Sequence, residues 1–257
     1  MRRYIIILLF MPWAATAGAW TEHNGHAQII TTFTSSNAEM SFDAKGHATI
    51  PTAFNKMSAE TLAEYGLSGS ITLLFAPTLV MADIATPGAR AEHSNSVSYE
   101  GGGRVLLFGR AGKLSMQATY KSAGAFAMSV SADHESGQQI DVRLLYGTNY
   151  KLLDDDGFVD IEAGERFIGR PRPDETLVDL TAGLWLMPRT MIMAQSFNII
   201  SGNAIAPYTP YRTHKLEFSL VQRLTDRWSL QSSTFFSPAG RNALDEKGMS
   251  VALWAQL

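Results

Sequence analysis

The chain has 257 residues, 46% of them hydrophobic, with 21 basic against 24 acidic side chains and no cysteine. The mildly acidic balance argues against nucleic acid as a partner. The missing cysteines exclude a disulfide-stapled fold and a lipid anchor on a processed N-terminal cysteine.

Residues 1–19 read as a secretory signal peptide. Arg2 and Arg3 precede the apolar run 4–11, Pro12 interrupts it, and Ala17-Gly18-Ala19 places small residues at the usual cleavage positions. The run is far short of the ~20 residues that span a bilayer as a helix. Cleavage after Ala19 leaves one domain, residues 20–257, with 19 basic residues (21 minus Arg2 and Arg3) against 24 acidic. No later segment is long enough for a transmembrane helix, because the best stretch, 71–84, is broken by Pro77 and Asp83.

Beyond Ala19 the chain is a series of segments that alternate apolar and polar residues over about ten positions, the pattern of transmembrane strands. The expected fold is all-β, an antiparallel up-and-down transmembrane β-barrel of about twelve strands. In chain order the strands are expected at 25–34, 56–65, 70–80, 97–108, 113–122, 138–150, 158–167, 175–187, 190–200, 211–224, 227–236 and 248–257. The second also suits a short helix from Ser58, and its position in the series favours strand. Asp43-Ala44-Lys45-Gly46 is expected at the tip of a long polar segment, 35–55. A turn is expected at Asp154-Asp155-Asp156-Gly157, and loops at 82–96, 123–137, 168–174, 201–210 and 237–247.

Long and tight connections alternate. With the first strand leaving the periplasm, an even strand number puts both termini and the tight turns on the periplasmic side. Aromatic residues fall into two girdles on this register: Tyr65, Tyr146 and Trp228 near tight turns, and Phe33, Tyr99, Tyr120, Phe167 and Phe236 near long loops. The last strand places Met249, Val251, Leu253, Ala255 and Leu257 on the lipid face, with Ser250, Ala252, Trp254 and Gln256 on the other. A chain ending inside such a strand closes a barrel by pairing it with the first.

The same register assigns Glu60, Glu64, Glu100, Arg104, Lys121, Asp141, Arg143, Asp160, Glu162, Arg166, Asp179, Lys215, Glu217 and Arg223 to the lumen. Such a lining is either packed with salt bridges between neighbouring strands or forms a narrow pore whose mixed charges suit small neutral or zwitterionic solutes.

Several short pieces resemble one family. They are Ala19-Trp20-Thr21 with residues 25–31, Glu64-Tyr65-Gly66, Ala194-Gln195-Ser196-Phe197-Asn198, His214-Lys215-Leu216, Trp228-Ser229-Leu230-Gln231 and Ala239-Gly240-Arg241-Asn242-Ala243-Leu244. The chain resembles an uncharacterised family of proteobacterial outer-membrane β-barrel proteins, loosely grouped with outer-membrane transporters. The resemblance implies a place among outer-membrane lipids and recognition of the C-terminal strand by the barrel assembly machinery. It implies no catalytic residue and no cofactor. Such chains usually end on Phe, whereas this one ends on Leu257.

The expected role is a passive pore or channel for small solutes, or an accessory of envelope export. The alternatives are a closed structural or interaction barrel and an outer-membrane lipid acyl hydrolase. For the last, His134-Glu135-Ser136 has the spacing of a base and nucleophile, but Asn149 lies thirteen residues along. At ~3.3 Å per residue that is roughly 40 Å away, beyond any orienting contact.

Overall fold

The computed structural model describes residues 18–257, except 86–91, 111, 123–137, 154, 170–171 and 206–207. Most of the expected signal peptide, together with His134 and Ser136, lies outside the described residues.

The strands are β1 (Ala27–Phe42), β2 (Ala48–Ser68), β3 (Ile71–Ala85), β4 (Glu92–Phe108), β5 (Lys113–Lys121), β6 (Gln139–Leu152), β7 (Asp155–Phe167), β8 (Glu175–Met187), β9 (Thr190–Ser201), β10 (Arg212–Arg223), β11 (Trp228–Arg241), β12 (Ala243–Leu244) and β13 (Lys247–Gln256). Setting aside the two-residue β12, twelve strands form one closed antiparallel sheet. β13 pairs β11 on one side and β1 on the other, in register from Gln28 opposite Gln256 to Asn37 opposite Lys247. The seam extends to the last residue: the Leu257 N–H donates to the Ala27 carbonyl at 2.8 Å, and the Ala27 N–H donates back at 3.0 Å. With both edges consumed, no exposed strand edge remains at the seam.

The structure lengthens the expected strands. β1 and β2 continue through most of the polar segment 35–55 and meet at a tight tip, residues 43–47, where one Asp43 carboxylate oxygen accepts from the N–H groups of Lys45 and His47. β3 and β4 likewise run into the expected loop 82–96, and β11 and β12 take up part of the link 237–247. In these extensions the apolar residues, among them Ala38, Phe54, Ala82, Ile84 and Leu244, are buried in a cluster and lie between runs of polar ones, so a search for lipid-facing apolar alternation passes over them. The turn between β6 and β7 is also shifted. Asp155, Asp156 and Gly157 sit in β7 opposite Leu152, Lys151 and Tyr150. The chain reverses between Leu152 and Asp155, where Leu153 has a left-handed φ of 51°; Asp154 lies outside the described residues.

The barrel is apolar outside. Phe33, Phe75, Leu79, Leu144, Ile161, Leu220 and Val251 are all exposed on its outer face, as are the girdle residues Tyr65, Tyr146, Trp228, Tyr99, Tyr120, Phe167 and Phe236. In water this surface is a liability, and in hydrocarbon it is solvated.

Candidate functional site

Residues facing one another across a ladder share a face. Strand alternation therefore puts every lumen residue named above on the inner wall, and the structure groups them into layers.

At the long-connection end of the β6 to β8 wall, Arg143 is the hub. Its Nε donates to Asp141 at 2.8 Å, and its Nη1 donates to Glu162 at 3.1 Å and Asp179 at 2.9 Å. Arg166 bridges the same Asp141 at 3.1 Å and Glu175 at 2.8 Å. Glu175 also accepts from the phenol of Tyr211, a residue of the β9–β10 connection. Burial, with that carboxylate beside it, pushes the phenol above its usual range and keeps it a donor. Nearby, Lys121 lies 3.7 Å from Glu100.

On the opposite wall the centre is Glu246, fully buried in the link between β12 and β13. It pairs with Lys56 at 2.9 Å and with Lys215, and accepts from the Ser36 hydroxyl at 2.6 Å. Burial works to raise this carboxyl, but the two ammonium groups and the hydroxyl outweigh it and hold the group at about 2. Ala38, Phe54, Ala82, Ile84 and Leu244 pack together at the same end.

Nearer the tight turns, Arg104 donates to Glu64 at 2.9 Å and to Gln117 at 3.0 Å. Beside this layer the lumen is apolar, filled by Phe158, Met191, Met193, Val221, Ala252 and Trp254. The Trp254 indole N–H donates to Gln231 at 3.1 Å, and Arg223 stacks 4.6 Å over the Trp185 ring. Charged layers thus line the middle and part of the long-connection end, beside the Phe54 cluster, while large apolar side chains occupy much of the tight-turn end.

The segment before β1 enters the barrel and packs among these residues. The Ala19 N–H donates to Asp160 at 2.8 Å and its carbonyl accepts from Ser115. The Trp20 carbonyl accepts from Arg104 at 2.8 Å, and the Glu22 N–H donates to Thr72 at 2.8 Å. The Trp20 ring meets Phe158 edge-on at 5.8 Å between centroids. Sequence reasoning missed this segment, as well as Glu22, Lys56, Glu175 and Glu246. The segment is short and aperiodic, and the four charged residues sit before the first strand, at strand ends or in a link.

One Ser–His pair exists among the described residues. Ser196 Oγ and His214 Nε2 are 3.3 Å apart on neighbouring strands, within a patch of the outer face. The Asn198 amide next to them donates to Ser196 and to the Val178 carbonyl rather than to the imidazole. Among the described residues no third group orients the histidine.

No family model matches the chain and no curated protein matches it. Solved structures do. An outer membrane channel from Pseudomonas putida F1 aligns over 93% of this chain and 98% of its own, with a TM-score of 0.69 and 12% identity. The fold is that of an outer-membrane barrel. The translocator domain of the autotransporter NalP from Neisseria meningitidis covers 91% of this chain and 89% of its own, with a TM-score of 0.59 and 12% identity. The NanC porin covers 89% and 100%, with a TM-score of 0.53 and 8% identity. At these identities the likeness is one of architecture.

Proposed function

We propose that this chain is an exported outer-membrane protein whose lumen passes small polar solutes passively. A leader within residues 1–19 carries it to the periplasm, and its C-terminal strand presents it to the barrel assembly machinery. The outer surface supports the membrane address: an exposed apolar belt bounded by two aromatic girdles is stable only in lipid.

The observation that carries the channel reading is the charged layer around Arg143, where one guanidinium faces Asp141, Glu162 and Asp179 across three adjacent strands. A mixed layer of this kind holds water and favours solutes that carry both charges, or none, over simple anions. The likeness to the Pseudomonas channel and to a porin supports the same reading.

The test is single-channel recording of the purified, folded barrel in a planar bilayer. Small, weakly cation-preferring steps are expected, with the preference rising in Arg143→Ala as the carboxylates lose their partner. A specific observation favours a second reading, a closed structural barrel: the apolar cluster and residues 19–22 together fill the tight-turn end. A folded barrel that never conducts decides for that reading.

A further inference from the structure

The lumen around residues 18–22 holds more negative than positive charge. Asp160, Glu162, Glu64 and Glu22 act on one another there; Arg104 pairs with Glu64, and Arg143 pairs with Glu162 while also serving Asp141 and Asp179. The Arg104 guanidinium is engaged by Glu64, Gln117 and the Trp20 carbonyl. Asp160 is 3% exposed, and no lysine or arginine among the described residues forms an ion pair with it. Its close partners are the Ala19 main-chain nitrogen, at 2.8 Å, and the neighbouring Glu162 carboxyl. A buried carboxylate in that position calls for a counter-charge.

The seat is also shaped for this segment. A Cβ on Gly147 would lie 2.6 Å from the Trp20 ring, and one on Gly66 would lie 2.0 Å from the His23 carbonyl oxygen. At Gly18 a Cβ would lie 2.5 Å from the Asp160 carboxyl carbon. Ala19 itself is fully buried and bonded to the wall through both its N–H and its carbonyl. It is built into the barrel as a structural residue.

We propose that removal of the leader leaves Ala19 in the mature chain and places the new α-ammonium in the lumen as the counter-ion of Asp160. This rests on the reading that the chain is exported through a cleaved leader. Ala15-Thr16-Ala17 is a full small-x-small site, so the bond expected to break is that between Ala17 and Gly18. A peptidase of the export machinery adds water across that bond. The hydroxyl goes to the Ala17 carbonyl carbon and the hydrogen to the Gly18 nitrogen, which takes up a further proton from solvent to become an ammonium. Backbone dimensions keep that nitrogen within about 4 Å of the Ala19 nitrogen and hence close to the Asp160 carboxylate. Processing thereby supplies a counter-ion at Asp160.

The test is N-terminal sequencing and intact mass of the protein recovered from the outer-membrane fraction. A chain starting at Gly18 is expected, and a start at Ala19 supports the same counter-ion. A start at Trp20, or an unprocessed chain in that fraction, overturns the inference. Recovery elsewhere in the envelope overturns the membrane address instead, so the two failures are distinguishable.

A second measurement needs no variant. Labelling of the α-amine by an amine-reactive ester at neutral pH is expected to be at least about tenfold slower in the folded barrel than after boiling, because the group is buried and paired. Equal rates overturn the proposal. Asp160→Asn, checked for folding by its gel mobility, is expected to raise the rate in the folded state.

Discussion

Arg104 and Glu64 show what a single residue contributes inside this barrel. Both side chains are almost fully buried, and their 2.9 Å contact exists because β2 and β4 each turn one charge inward beside β3. Removing one partner leaves the other charge without compensation. Arg104→Ala is therefore expected to destabilise the folded barrel by about 3–5 kcal/mol, read by urea titration in detergent or vesicles. Glu246 makes a complementary prediction about pH. Its carboxyl is held at about 2, below its ordinary value of 4.5, so the favoured state is the charged one. Its contribution is complete above about pH 4.5 and is lost as the pH falls through about 2. Limited pepsin digestion should leave the link between β12 and β13 intact at pH 4 to 5 and cut it near pH 2, whereas Glu246→Gln should be cut already at the higher pH.

At the scale of the element, the last strand has its direction and neighbours defined by the ladder. Met249 and Val251 face outward opposite Ser35 and Phe33 of β1, while Ala252 and Trp254 pack in the apolar cluster of the lumen. Because side chains alternate with a period of two, deleting Ala252 shifts every residue on its N-terminal side to the other face. Met249 and Val251 would enter the lumen and Ser250 would face lipid. The variant is expected to fail assembly, seen as loss of the folded band on an unboiled gel. Leu257 is exposed outside the seam, held through its main chain to Ala27, so Leu257→Phe is expected to assemble at least as well as the parent. Most strand cores were legible from this same alternation, β6 and β7 above all, with Ile140, Val142 and Leu144 outward and Asp141 and Arg143 inward. The strand ends were not legible. There the outer face no longer carries the apolar alternation, and the ladder is continued by hydrogen bonds and by the inward cluster around Phe54, as it is for β1 and β2 down to the Asp43 tip.

For the whole molecule, a barrel closed between β1 and β13 unfolds only by breaking a seam that has no free edge from which to peel. The folded protein is therefore expected to migrate faster than the boiled protein on a denaturing gel, and to fractionate with the outer membrane. Unchanged mobility after boiling would leave a soluble β-protein as the better description. The interior is a property of the whole molecule as well. Arg143 meets carboxylates from β6, β7 and β8, and Glu246 meets lysines from β2 and β10, groups distant in sequence that closure brings together.

The sequence by itself determined the all-β class, the number of main strands and the alternation of two faces along each strand. Period-2 alternation and the order of long and tight connections are local signals, and they suffice for those statements. The tertiary structure alone decided which inward charges pair, that Phe158, Met191, Val221 and Trp254 fill the tight-turn end, and that residues 18–22 turn back into the barrel. Which inward residues meet depends on the stagger and curvature of the closed sheet, and stagger is a property of closure that no single segment encodes.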